Sequence, residues 1–114
     1  MIDAPRTFEE FWPHYVMAHR QPATRAFHFA GTFLGWVMLI AGLVTGNLWM
    51  VLLAPVLPYP IVWFSHFFIE HNRPASFGHP AWSWLADQKM VAMILTGRMG
   101  DEVRRISAVQ TETV

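Results

Sequence analysis

The main pattern in the chain is a long central stretch without charge, with charged segments on both sides. Residues 26–69 contain no Asp, Glu, Lys or Arg, although the chain has eight acidic and eight basic residues. A Thr-Gly-Asn sequence at 45–47 favours a tight turn and divides the stretch into apolar segments at 26–46 and 47–70. Each segment, as an α-helix, reaches about 30 Å, the thickness of a bilayer's hydrocarbon core. The pattern predicts a transmembrane helical hairpin.

Three prolines interrupt the second apolar segment, namely Pro55, Pro58 and Pro60. Proline lacks a backbone donor and its ring clashes with the preceding turn. Such a break is tolerated in a membrane where neighbouring helices satisfy the freed carbonyls. We therefore expect a kink near the middle of this segment, followed by a separate half-helix from Tyr59 to Ile69.

The segment before the hairpin predicts a helix over residues 7–20. Thr7 and Glu10 have the spacing of a capping box, in which the two residues satisfy each other's backbone donors. The helix would carry one continuous face of rings, made by Phe8, Trp12, Tyr15 and His19. An aromatic face of this kind suits a membrane interface or the flank of the hairpin.

The segment after the hairpin is predicted to form a second flanking helix over residues 81–99, after breaks at its prolines and glycine. Asp87 and Lys89 argue against a third membrane span, so this helix is expected either at the interface or packed on the cytoplasmic end of the hairpin. Residues 106–114 are predicted to be a frayed tail.

These elements make residues 1–114 a single all-α domain, a small helical membrane protein with a transmembrane hairpin and flanking interfacial helices. The alternative is a buried helix pair in a water-soluble bundle, for which so short a chain offers too little polar sequence. The first apolar run starts well inside the chain and lacks a cleavage site, so no signal peptide is expected. Because Lys and Arg are missing from the turn and present on both flanks, both termini are predicted to be cytoplasmic.

Composition narrows the chemistry that the chain can perform. It is 54% hydrophobic and 14% charged, with a net charge of zero, so the basic surface needed for nucleic-acid binding is missing. The absence of cysteine excludes disulfides, thiolate nucleophiles, zinc fingers and iron–sulfur clusters. Six histidines remain as the most plentiful polar chemistry.

Two of these histidines are expected to meet at the cytoplasmic end of the hairpin. His28 begins the first apolar segment and His66 lies near the end of the second, so antiparallel packing brings them to one depth. Glu70 follows His66 by four residues, on the same face of a regular helix. His19 can join them if Pro22 interrupts the chain and allows it to turn back. His19, His28, His66 and Glu70 are therefore the candidate catalytic and metal-ligating residues.

Other interpretations of these residues stay open. Each histidine, taken singly, can be an interfacial side chain that makes one hydrogen bond, and Glu70 can instead pair with Arg73. Imidazoles with a carboxylate suit iron, zinc or manganese, and the lack of thiolates disfavours structural zinc or copper(I). His14 does not share the predicted face and is interpreted as structural. His71 is expected at the surface or as a hydrogen-bond partner of a ligand, and His79 is expected to cap the last helix.

Several motifs together resemble those of the Mpo1-like family over roughly residues 8–99. They are His-Arg-Gln-Pro at 19–22, Arg-Ala-Phe-His at 25–28, Ser-His-Phe-Phe-Ile-Glu at 65–70 and Asn-Arg-Pro-Ala at 72–75. Trp82-Ser83, Asp87 and Thr-Gly-Arg at 96–98 are similar to the bacterial branch, which implies a bacterial inner membrane. The resemblance implies metal-binding roles for His19, His28 and His66, with Glu70 as a further ligand or an outer acceptor.

The resemblance also implies an activity, that of an Fe(II)-dependent dioxygenase that shortens 2-hydroxy fatty acids by one carbon. Its partners would be O₂, a fatty-acid-like lipid substrate and membrane lipid. The apolar side chains of Trp36, Trp63, Phe64 and Phe67 either line the acyl chain or serve as lipid anchors and packing. Two other classes remain: a zinc-dependent membrane hydrolase with Glu70 as general base, and a metal-free membrane scaffold.

Overall fold

The computed structural model describes residues 5–112, and all the regular elements within that range are helical. They are α1 (Phe8–Ala18), α2 (Pro22–Thr45), α3 (Leu48–Leu53), α4 (Pro58–Ser65), a π-helical turn (His66–Glu70), a 3₁₀ turn (Ala75–Phe77), α5 (Pro80–Leu95) and α6 (Met99–Glu112). The chain divides into two compact units. Gln21–Asn72 forms the hairpin unit, and Met1–Arg20 with Arg73–Val114 forms the flanking unit.

The hairpin unit turns and breaks where its sequence predicts. Gly46 ends α2 in the left-handed region at φ 71°, and the Asn47 side chain accepts a hydrogen bond from the Met50 backbone at the start of α3. The chain then loses regular α-helix after Leu53 and resumes it at Pro58, which occupies the first turn of α4. Proline is tolerated there because the first N–H groups of a helix have no partner within the helix.

Glycines on α2 allow the two arms of the hairpin to approach closely. A Cβ atom added at Gly35 would lie 3.1 Å from the Ala54 carbonyl oxygen, and one at Gly42 would lie 2.9 Å from the Val51 backbone nitrogen. Small residues at a helix interface are a usual device of membrane hairpins, since they let backbones pack without large side chains between them.

The outer surface of the hairpin unit is apolar. Pro22–Thr45 and Leu48–Glu70 have mean hydropathies of 1.8 and 1.7, yet only 28% and 17% of those stretches is buried. The buried face of α2 consists of small and polar residues, namely Thr24, His28, Gly31, Thr32, Gly35 and Gly42. By length and composition the unit thus has two helical segments able to cross a membrane, in agreement with the predicted hairpin.

The flanking unit has a conventional apolar core. Thr7 caps α1 by accepting a hydrogen bond from the Glu10 backbone, as the sequence predicts. The core gathers residues of α1, α5 and α6: Phe11, Trp12, Tyr15, Val16, Ala86, Met90, Met93, Met99 and Ile106.

The C-terminal part of the chain differs from its prediction in two respects. The helix predicted over 81–99 ends at Leu95, because Gly97 adopts a left-handed φ of 72° and the Arg98 N–H bonds back to the Met93 carbonyl. The tail predicted over 106–114 is helical through Glu112, while positions 113 and 114 lie outside the described residues. Ile106, 2% exposed, packs into the core and explains why this segment is a helix rather than a tail.

Candidate metal centre

Two buried histidines face each other inside the hairpin unit. His28 comes from α2 and His66 from the first position of the π-helical turn, and their side chains are 5% and 1% exposed. Their Nε2 atoms lie 3.2 Å apart, and the two rings stand almost perpendicular, at 89°. The hairpin therefore brings together two residues that are 38 positions apart in the sequence, as the antiparallel pattern predicts.

The orientation of His66 is fixed by residues just after it. The backbone N–H groups of His71 and Asn72 both donate to the His66 carbonyl, and His71 adopts a left-handed φ of 59°. This reversal returns the Asn72 side chain to the His66 ring, where Oδ1 lies 2.7 Å from Nδ1. An amide oxygen only accepts, so Nδ1 carries the hydrogen and the lone pair of His66 is on Nε2, the atom that faces His28.

Glu70 is held at the start of α2. Its Oε2 accepts hydrogen bonds from the Gln21 backbone N–H at 2.9 Å and from the Thr24 hydroxyl at 2.8 Å. The Gln21 side chain in turn donates to the Ile69 carbonyl at 3.2 Å. A carboxylate at this position satisfies an N–H group of the first helical turn and is favoured by the helix dipole. Glu70 thus ties the end of the π-helical turn to α2.

His19 is the C-terminal cap residue of α1 in the flanking unit and is fully buried. Its Nδ1 lies 2.6 Å from the Tyr15 carbonyl oxygen, and its ring stacks on the Tyr15 ring at 4.0 Å between centroids. Since the carbonyl only accepts, Nδ1–H donates and the lone pair of His19 is also on Nε2. Burial, with the Asp87 carboxylate as a second cause, raises the pKa of Tyr15 well above 10.0, so that ring stays a neutral phenol.

His28 and His66 form a buried pair of imidazoles within the hairpin unit, with their Nε2 atoms 3.2 Å apart, while His19 belongs to the flanking unit. The donor set fits a divalent metal. Two imidazole nitrogens that bind one ion at about 2.1 Å lie roughly 3.0–3.4 Å apart at angles of 90–110°, a separation that the pair in the hairpin unit already has. Neutral imidazole donors suit iron, zinc, copper or nickel, and two of them leave coordination positions for other ligands.

The other candidate residues make different contacts. The carboxylate of Glu70, predicted as a further ligand, accepts hydrogen bonds from Gln21 and Thr24, and its role as a ligand stays a prediction. His14 and His71 are exposed. His79 occupies the N-cap position of α5 without a side-chain capping bond, and its ring stacks on Trp82 instead.

Two further residues, Asn72 and Thr24, bond to the candidate side chains and are not among the residues predicted from the sequence. Asn72 belongs to the Asn-Arg-Pro-Ala motif, but a regular helix does not predict that its side chain folds back onto His66. Thr24 precedes His28 by four residues, so both lie on one face of α2, and this spacing was the signal that could have identified it.

Three of the four aromatic residues predicted near the acyl chain lie on the outside of the hairpin unit, and the fourth, Trp63, is half-buried. The exposed fractions of Trp36, Phe64 and Phe67 are 46%, 47% and 47%. Phe64 lies between Phe27 and Phe68, at ring separations of 5.5 and 4.8 Å. These rings form an apolar surface, and the geometry fits both lipid contact and contact with an acyl chain.

Comparison with known proteins gives one informative result. Residues 5–99 match the model of a protein family described as 2-hydroxy-palmitic acid dioxygenase Mpo1-like. The comparisons with curated proteins and with solved structures gave no match. The family match covers most of the chain and contains all of the histidines and their hydrogen-bond partners described above, and the protein therefore belongs to the Mpo1-like family.

Proposed function

We propose that this protein is a membrane-embedded, iron(II)-dependent dioxygenase that shortens 2-hydroxy fatty acids by one carbon. The observation that carries the proposal is the buried pair of His28 and His66, with Nε2 atoms 3.2 Å apart. Buried imidazoles that converge inside an apolar hairpin are costly to maintain, and in membrane proteins such groups serve function by default.

In this proposal His19, His28 and His66 hold the iron through their Nε2 atoms. An iron ion held there would supply Lewis-acid chemistry toward the carboxylate and 2-hydroxyl of the substrate and would activate O₂. The protein orients the ligands: the Tyr15 carbonyl holds the ring of His19, and Asn72 holds the ring of His66. The burial of all three rings keeps bulk water away from the reacting groups. Glu70 acts from outside the ligand group, as the acceptor that joins α2 to the π-helical turn.

The apolar exterior of the hairpin unit supports a location in the membrane, with Gly46 at the far end and both termini on the cytoplasmic side of a bacterial inner membrane. The substrate then keeps its acyl chain in lipid, along the exposed rings of Phe64 and Phe68. Its polar end reaches the histidines at the other end of the hairpin, where the charged residues of the chain resume.

The test is metal content together with turnover. Protein extracted in mild detergent without oxygen is reconstituted with Fe(II), analysed for iron, and then given O₂ and 2-hydroxypalmitate. We expect about one iron per chain and a product one carbon shorter, both lost in His28→Ala and His66→Ala. His14→Ala, which removes an exposed histidine outside the ligand group, serves as the matched control and should keep both.

Two outcomes would overturn the proposal. Tight binding of zinc without O₂ consumption would favour the hydrolase, and a protein that takes up no metal even after reconstitution would favour a scaffold.

A further inference from the structure

We infer that Asn72 is a positioning residue for the metal centre, whose side-chain oxygen holds the His66 ring in the tautomer and orientation that present Nε2 to the metal. The inference rests on the proposed metal site and goes beyond it, because it assigns a role to a residue outside the ligand group. Its basis is the 2.7 Å contact between Asn72 Oδ1 and His66 Nδ1.

Asn72 contacts His66 twice, and the two contacts have separable roles. Its backbone N–H donates to the His66 carbonyl at 2.9 Å and helps to close the π-helical turn. Only the second contact, to the ring, uses the side chain. A substitution at position 72 therefore keeps the backbone bond and removes the ring contact, so the effect on His66 can be measured apart from the fold of the turn.

The ring contact matters because an imidazole has two nitrogen atoms and a broad preference for its second side-chain torsion. Without an acceptor at Nδ1, His66 can place its hydrogen on either nitrogen, and the lone pair no longer has to face His28. Outer acceptors of this kind typically change metal affinity by 10–100-fold when they are removed. For His19 the equivalent acceptor is the Tyr15 carbonyl, a backbone group that substitution cannot delete.

The amide of Asn72 also determines the charge of the site. A neutral acceptor leaves three neutral imidazoles around the ion, whereas a carboxylate at the same place adds a negative charge and makes His66 a more basic ligand. Asn72→Asp keeps an acceptor oxygen at the ring and should retain the metal affinity, whereas Asn72→Ala should weaken it.

The experiment measures Fe(II) affinity by anaerobic competition with a chelator, on the full chain in detergent. We expect Asn72→Ala to bind Fe(II) 10–100-fold more weakly and Asn72→Asp to bind at least as tightly as the unmodified protein. Asn47→Ala is the matched control, since the Asn47 side-chain oxygen likewise accepts a hydrogen bond, from the Met50 backbone N–H, but lies at the other end of the hairpin unit. Its Fe(II) affinity should stay within about twofold.

A second measurement needs no metal. In the metal-free protein, ¹⁵N chemical shifts of His66 should show the hydrogen on Nδ1, and Asn72→Ala should lose that preference. A hydrogen on Nε2 in the unmodified protein would overturn the inference, as would equal Fe(II) affinities of Asn72→Ala and the unmodified protein. If the unmodified protein binds no Fe(II), the proposed function fails, while the ¹⁵N measurement still decides the role of Asn72.

Discussion

The two units of the chain bury different kinds of side chain. In the flanking unit the core is large and apolar, with Phe11, Tyr15 and Met90 at 3%, 2% and 0% exposure. In the hairpin unit the buried face of α2 is made of threonine, histidine and glycine. The large apolar residues of the hairpin unit face outward instead, and Ile40, Leu43 and Val44 are 57%, 65% and 80% exposed.

This contrast fits the proposed location, in which lipid surrounds the hairpin unit and water surrounds the flanking unit. In water, removing apolar area from solvent is the main favourable term, so large side chains gather inside. Lipid tails are as apolar as leucine, so a helix pair in lipid gains nothing by burying large side chains and instead packs through small residues and polar contacts. The inverted arrangement frees the interior of the hairpin unit for polar groups, and His28 and His66 occupy it.

The largest effect is expected from removing a core side chain of the flanking unit. Met90→Ala deletes a fully buried side chain and should lower the free energy of unfolding by about 2–5 kcal/mol, measured by denaturant titration in detergent. Ile40→Ala, on the outside of the hairpin unit, should cost much less because detergent replaces the lost contacts. Equal losses for the two variants would contradict the contrast between the units.

A charge placed on the surface should do more harm in the hairpin unit than in the flanking unit. Leu34 on α2 and Val109 on α6 are 45% and 48% exposed, so the substitutions Leu34→Arg and Val109→Arg are matched in exposure. An arginine near the centre of a membrane helix costs about 2.5–3.5 kcal/mol, whereas one on a water-facing surface costs little. We expect only Leu34→Arg to reduce the fraction of protein retained in membranes after alkaline extraction. Equal retention of both would argue that α2 lies in water.

The contrast also separates what the sequence could predict from what it could not. A stretch without charge and the turn at 45–47 are sufficient for the hairpin, because lipid allows few other structures. The approach of His28 to His66 follows from antiparallel geometry alone. The hairpin and the approach of the two histidines depend on the length and pairing of whole helices, so an error of one or two residues at a helix end does not change them.

The parts that were missed depend on local backbone geometry. A regular helix puts Glu70 beside His66, whereas the π-helical turn changes the register and directs Glu70 to Thr24. The contact of Asn72 depends on the left-handed backbone of His71, a conformation that few residues other than glycine adopt and that helical spacing does not predict. The helical end of α6 carried a signal in the spacing of Met99, Val103 and Ile106, which the interpretation as a tail overlooked.

Adding a methyl group at a glycine should destabilise the protein when the glycine lies between the packed arms of the hairpin unit, and not at an open position of the flanking unit. In the hairpin unit, Gly42→Ala places a Cβ atom 2.9 Å from the Val51 backbone nitrogen, so the arms must move apart. Overpacking of this kind costs about 1–3 kcal/mol. In the flanking unit, Gly78→Ala meets nothing within 4 Å and should leave the thermal midpoint in detergent almost unchanged. A Gly42→Ala protein as stable as the unmodified one would show that the arms are not closely packed.

The smallest effect on stability is expected from Glu102, a carboxylate at the edge of the flanking unit's core. Its carboxylate accepts hydrogen bonds from the buried Trp12 ring at 2.7 Å and from Arg105 at 2.9 Å. The bond from Arg105, before all other causes, lowers the pKa of Glu102 below its ordinary value of 4.5. A carboxylate with a lowered pKa stabilises the fold above its unfolded-state pKa, and this contribution is lost as the pH falls through the folded-state value.

Glu102→Gln should therefore lower the Tm in detergent by about 2–4 °C at pH 7 and by less at pH 3. The glutamine oxygen can still accept from Trp12, so the difference reports mainly the charge beside Arg105. Glu9→Gln, an exposed change in the first turn of α1, should give no such pH-dependent difference. A Glu102→Gln deficit that is the same at both pH values would mean that the geometry of the two hydrogen bonds, and not the carboxylate charge, stabilises this edge of the core.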